Sequence, residues 1–301
     1  MTPLVLAGLL ASATATSTAA STLSDQRSRI LLSAGVGWTS EVDGDRISLV
    51  PALDVHVRLG RRWWLDVSWR LPVLSSPDGT FVDPRREEAV ADDVPRTGNP
   101  FVGGRFRAFS EPGLEVDLGL GVALPMASIE VPTPATGEPF ERAPHSRDTY
   151  RRGIAVQGGR APWLSLWDTA TGLATLVVHG QEERVHLTGR LDAGLLIPAG
   201  RLRADPGAVV AFEGSFVYDL DPLTAGVRFD LTYLTPQRDE LDRRIQIRGV
   251  QLAVSPEIEL RFLEHYLVKA ALIYAPRAGF EPEPSPEAPR WGWWLGFGLL
   301  L

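Results

Sequence analysis

Between Ile47 and Leu59 every odd-numbered position carries an apolar residue or proline, while most even-numbered positions carry small or polar ones. A repeat of two marks a β-strand with one apolar face, because a helix would place such residues three and four apart. The run covers about thirteen residues, longer than the five or six usual in globular sheets and suited to a strand that crosses a bilayer at a tilt. The alternation returns at Trp63–Val73, Leu114–Leu124, Val185–Ile197, Ala225–Tyr233 and Val250–Phe262. Weaker copies lie at Ile30–Trp38, Phe101–Phe109, Val209–Tyr218, Tyr266–Ala275 and Trp291–Leu301, and one falls within Trp163–Val178. The pattern predicts about twelve strands, an even number as in single-chain bacterial barrels.

The connections predicted between these strands alternate in length. Gly60–Arg62, Ser110–Gly113, Gly180–Glu183, Asp219–Leu223 and Leu263–His265 are short, whereas Ser75–Asn99, Met126–Pro162, Thr235–Arg248 and Pro276–Arg290 are long. Short periplasmic turns and long extracellular loops give a transmembrane barrel this rhythm. Trp38, Trp63, Trp69, Tyr218, Tyr233, Tyr266, Tyr274, Trp291 and Trp293 share the apolar parity of their strands and lie mostly toward strand ends, as interfacial girdles do. The fold expected is therefore all-β: a closed antiparallel transmembrane β-barrel.

Composition adds exclusions. With no cysteine, disulfide scaffolds, thiolate metal sites and cysteine nucleophiles are ruled out. A net charge of -7 leaves no basic stripe for nucleic acid. Lysine occurs once, at Lys269, and the abundance of arginine reads as codon usage. Residues 1–20, with an apolar run from Leu4 to Ala11 and small residues after it, read as a signal peptide, although no basic residue precedes the run. Residues 21–301 read as one barrel domain. No apolar stretch approaches the roughly 18 to 20 residues of a spanning helix, so strands must do the crossing.

The last strand ends Trp291, Trp293, Leu295, Phe297, Leu299, Leu301 on one parity. It resembles the terminal assembly signal of bacterial outer-membrane β-barrels, with Leu301 where that group usually has Phe. The resemblance implies two partners, outer-membrane lipid and the barrel-assembly machinery, and places both termini in the periplasm. Thr97-Gly98-Asn99-Pro100-Phe101-Val102-Gly103-Gly104-Arg105-Phe106-Arg107 and Leu118-Gly119-Leu120-Gly121-Val122-Ala123-Leu124-Pro125 resemble, over about two strands, the transporter-like barrels associated with phenol and other aromatic degradation pathways.

The opposite parity points into the lumen. It carries Arg58, Arg70, Arg105, Arg107, Glu115, Asp117, Arg190, Asp192, Arg228, Asp230, Glu257, Glu259 and Arg261, with Asp54, His56, Asp66, Glu213 and Lys269 beside them. Two readings of this mixed lining stand, a polar pathway for small solutes or an ion-pair network filling a narrow barrel. Arg105 and Arg107 share a face with no acid between them and are expected to be uncompensated contacts for an anionic solute. His56 and His186 are expected to face inward, while His179 and His265 are expected at turns. His145, Ser146 and Asp148 sit together in a long segment that reads as a solvated loop more readily than as a catalytic group. No spacing of His, Asp or Glu suggests a metal, and nothing calls for a cofactor. Met126–Pro162 is either a constriction folded into the barrel mouth or an exposed loop.

A passive channel with a polar, arginine-lined lumen leads the functional readings. A structural or surface-interaction barrel with a plugged lumen follows, and an outer-membrane hydrolase comes last. The unbroken apolar face on many long strands would expose more apolar surface than a soluble monomer tolerates. The mature chain is therefore expected in the outer-membrane fraction, migrating differently in detergent gels before and after boiling; recovery as a soluble periplasmic monomer would overturn the barrel.

Overall fold

The computed structural model describes residues 28–41, 44–70, 74–76, 98–126, 161–166, 169–199, 205–235, 249–263, 265–275 and 290–301. The signal-peptide reading of residues 1–20 lies outside them, as do His145, Ser146 and Asp148. Thirteen strands form one sheet: β1 (Arg29–Glu41), β2 (Gly44–Arg58), β3 (Trp63–Arg70), β4 (Leu74–Ser76), β5 (Phe101–Glu111), β6 (Leu114–Ala123), β7 (Thr169–Glu182), β8 (Val185–Pro198), β9 (Gly207–Asp219), β10 (Leu223–Leu234), β11 (Gly249–Phe262), β12 (Tyr266–Ala275) and β13 (Arg290–Leu300). Strand β4 pairs with Ile47–Leu49 of β2 where β3 leaves off, so β3 and β4 share one place in the wall and the barrel has twelve staves. Every pairing is antiparallel, consecutive staves are neighbours in the wall, and β1 closes the ring by pairing with both β2 and β13.

Apart from the two-residue link between β1 and β2, the short connections between staves gather at one rim. They are Leu59–Arg62, Pro112–Gly113, Glu183–Arg184, Leu220–Pro222 and Leu263–His265. Gly113 has φ 81, and a Cβ there would sit 2.9 Å from the carbonyl oxygen of Gln181, so the two-residue turn between β5 and β6 requires glycine. Both ends of the barrel domain meet at the same rim: Arg29 lies opposite Leu300, and the Leu301 amide donates to the Ser28 carbonyl at 2.8 Å. The longer connections, including residues 77–100, 124–168, 235–248 and 276–289, leave from the opposite rim.

The outer face is apolar. Leu120, Leu195, Leu32 and Trp293 are 73%, 60%, 57% and 62% exposed, values that suit hydrocarbon and not water. Aromatic side chains collect near both rims. Trp63 packs on Phe106 at 4.8 Å and Tyr266 lies 5.9 Å from Phe297 at the short-turn end, while Tyr274 packs on Trp291 at 4.6 Å at the other. Among the described strand residues three aromatics depart from the outward rule: Trp64, Phe101 and Trp294 are buried inside the barrel.

The strand expected within Trp163–Val178 starts later than its apolar residues suggest. A short 3-10 turn, η1 (Pro162–Ser165), precedes it, and β7 begins at Thr169. Trp163, Leu164 and Leu166 are buried in one cluster with Phe101, Leu173, Leu196, Val209 and Leu234, all on inward-facing positions near the long-loop rim. Of the two readings of the Met126–Pro162 segment, residues 127–160 lie outside the described residues, but the turn that follows them occupies the mouth.

A single charge on the lipid face tests this orientation. Leu120→Arg is expected to cost about 2 to 4 kcal/mol in a urea titration of the protein refolded in lipid, and Leu120→Phe close to nothing. Equal damage from both would mean that position 120 faces protein.

Candidate functional site

Inside the barrel the alternation that leaves apolar residues to lipid brings charges together, because residues two apart on a strand share a face and cross-strand neighbours lie side by side. At β2 and β3, Asp54 accepts from Ser68 Oγ at 2.6 Å and from Arg70 Nη1 at 3.3 Å. One step toward the short-turn rim, Asp66 contacts His56 at 2.5 Å and Arg105 Nε at 2.7 Å. Arg105 also lies 3.6 Å from Asp117, which takes Arg107 Nε at 2.7 Å and has His179 Nε2 at 3.6 Å. Arg107 reaches Glu115 at 2.5 Å as well, and its guanidinium stands 4.4 Å over the Trp64 ring.

The network continues around the wall. Asp192 takes Thr175 Oγ1 and Arg190 Nε at 2.5 and 2.6 Å. Arg228 contacts Asp230 at 3.1 Å, Glu257 at 2.9 Å and Glu213 at 3.7 Å. Lys269 Nζ meets the other oxygen of Glu257 at 2.7 Å and lies 5.7 Å from the Trp294 ring centre. Arg261 contacts Glu259 at 3.2 Å, and both Arg261 and His186 approach Asp219 at 4.0 Å.

Twelve of the thirteen residues expected in the lumen thus join ion pairs on the inner face. Arg58 differs: it is exposed at the short-turn rim, where it donates to the carbonyls of Gly60 and Arg61 at 2.8 and 3.3 Å. Arg105 and Arg107 are not uncompensated, as their strand alone suggested, because the acids that hold them come from β3 and β6. His179 is not at a turn; it is buried within β7 against Asp117. Lys269, without functional meaning in composition, is fully buried in the network.

The lining is not polar all round. Leu31, Leu267, Ala271, Ile273, Trp294 and Leu300 make an apolar inner wall on β1, β12 and β13, joined by Ala253 of β11. A Cβ at Gly296 would lie 2.7 Å from the Trp294 ring, so the absence of a side chain there leaves room for the indole. A cavity of about 30 Å³, lined by Arg29, Asp54, His56, Asp66, Arg105, Arg190 and Phe101 among others, holds about one water. A wider space of about 350 Å³ opens at the short-turn rim, bordered by Glu111, Glu115, His179 and Gln181. Among the described residues no group of three or more His, Asp or Glu is placed to hold a metal ion.

Sequence periodicity missed the inward aromatics and Asn99, a fully buried polar residue at the long-loop rim. Asn99 lies in the Gly98-Asn99-Pro100 string that the resemblance had already marked, and that was the available signal.

No protein-family model matches the chain, and no curated protein does. Among solved structures it is similar to an outer membrane channel from Pseudomonas putida F1, with a TM-score of 0.58 and 11% identity over 91% of this chain and 96% of that one. It is also similar to the NanC porin, with a TM-score of 0.54 and 8% identity over 90% of this chain and all of that one (100%). At these identities the likeness is one of fold, that of the outer-membrane β-barrels.

Asp117 is the node whose loss the network would register most. It is 1% exposed and touches Arg105, Arg107 and His179. Asp117→Asn is expected to destabilise the barrel toward the lower end of about 3 to 5 kcal/mol in urea unfolding, since Arg105 keeps Asp66 and Arg107 keeps Glu115. An unchanged midpoint would mean that water already screens the cluster.

Proposed function

We propose that the protein is a passive channel for small solutes across the outer membrane, with both termini on the periplasmic side and the charged lumen as the solute contact. One observation carries the reading: ionic side chains line the inner face from β2 round to β12. Removing so many ions from water costs several kcal/mol each, and a barrel filled only for stability is served better by apolar packing. A wet lumen explains why the charges are there. The two similar structures, a channel and a porin, agree with it.

Arg70, Arg105, Arg107, Arg190, Arg228 and Arg261, with their acids, are the groups a polar solute would exchange hydrogen bonds with in passing. We assign no catalysis to the barrel, since His56, His179 and His186 each stand against a carboxylate on the lumen side, away from the outer rim where a lipid hydrolase would act. Strand β13, which closes the ring, is the segment we assign to recognition by the assembly machinery. The apolar cluster around η1 favours a second reading, a plugged barrel that serves as an interaction scaffold.

Planar-bilayer recording separates the two: the refolded protein is expected to conduct in discrete steps with weak charge selectivity, because the lining alternates in sign. Replacing Arg105 and Arg107 together with Gln would remove the arginine partners of Asp66, Glu115 and Asp117 and is expected to move the reversal potential toward cations. Absence of any conductance would favour the plugged scaffold.

A further inference from the structure

The apolar turn in the mouth is held by a specific clasp. Asn99 donates its side-chain amide to the carbonyls of Trp163 at 3.1 Å, Leu166 at 2.5 Å and Thr169 at 3.3 Å. Its backbone amide donates to the Leu164 carbonyl at 2.7 Å, and the Gly98 amide donates to the Arg70 carbonyl at 2.7 Å. Gly98 and Asn99 together therefore tie η1 to the end of β3, through bonds to carbonyls within the turn and after it. Gly98 makes the approach possible: a Cβ there would stand 2.6 Å from the Leu164 oxygen and 2.7 Å from Arg70 Cβ. A helical turn this short has little stability of its own, so its position depends on what grips it.

What the clasp holds packs against the inner wall of the mouth from β5 round to β10. Trp163, Leu164 and Leu166 press against Phe101 on β5, Leu173 on β7 and Leu196 on β8. A polar solute leaving water would meet this collar before the charged lining, and desolvating at an apolar constriction is what limits passage there.

We infer that Asn99 is a positioning residue that fixes the η1 turn as the constriction of the outer mouth, and that the clasp, more than the arginine lining, sets the size of solute admitted. The inference rests on the channel reading for its consequence but not for its geometry. Three carbonyl oxygens converge on the amide nitrogen, whose two hydrogens serve them with one hydrogen shared, whereas an ionised carboxylate of the same shape has no proton to give them.

The chain has no cysteine, so Leu164→Cys supplies a single reporter thiol, buried while the turn is seated. In the refolded full chain, labelling of this thiol by a membrane-impermeant maleimide is expected to be slow and to quicken by about tenfold or more when Asn99→Asp is added. Gly98→Ala, which pushes on the turn sterically, should do the same, and either one suffices if the other fails to assemble by heat-modifiable migration. Single-channel conductance should rise in the same variants. Faster labelling with higher conductance supports the whole inference. Faster labelling in a barrel that conducts in no variant keeps the clasp and removes the channel. Unchanged labelling and unchanged conductance in a correctly assembled, conducting variant overturns the clasp and leaves the channel standing.

Discussion

Every backbone amide and carbonyl facing hydrocarbon must find a partner within the chain, and a sheet can meet that demand only by closing on itself. The pairing of β1 with both β2 and β13 is that closure, continuous from Arg29 opposite Leu300 to Trp38 opposite Trp291. The rest of the architecture follows from it. Closure between sequence neighbours in antiparallel order returns the last strand to the first with an even number of staves. Lipid outside then fixes the parity of each strand, and whatever is polar has one direction left to point.

The interior is where that constraint becomes chemistry. Charges inside a narrow barrel are tolerable only if each has an opposite neighbour, and the register supplies one from an adjacent strand or from two residues away on the same strand. Guanidinium groups suit this task because a planar fork can serve carboxylates on different strands at once. Arg105 does so with Asp66 and Asp117, and Arg228 with Glu213, Asp230 and Glu257. The arginine-rich composition, which codon usage alone would account for, therefore has a structural use. Lys269, a point charge, meets Glu257 and stands beside the Trp294 ring.

Much of this was legible in the chain because a period of two is a local property. The strands, their facing, the short turns and the identity of the lumen charges all follow from residues near one another in sequence. Pairings across strands do not. Arg105 and Arg107 look alone on β5, and only the register with β6 and the approach of Asp66 from β3 provides their partners. Parity also misleads where an aromatic residue faces inward: Phe101 fits because Gly103 and Gly121 leave its ring room, a relation between two strands. The η1 turn has no period to read, and its apolar residues look like the start of the strand that follows.

The lumen that results is two-sided. Ionic groups occupy most of its circumference, while β1, β12 and β13 present Leu31, Leu267, Ile273 and Trp294 on an apolar wall. That wall runs the height of the barrel, from Leu300 and Leu267 near the short-turn rim to Ala275 near the other. Side chains on such a wall neither bind ions nor demand counter-charges, and the charges that stand among them are Lys269 of β12, which meets Glu257, and the buried Arg29 of β1. The same division gives the interior a direction across its width as well as along its axis: a polar group is stabilised against one side, and an apolar group loses least hydration against the other.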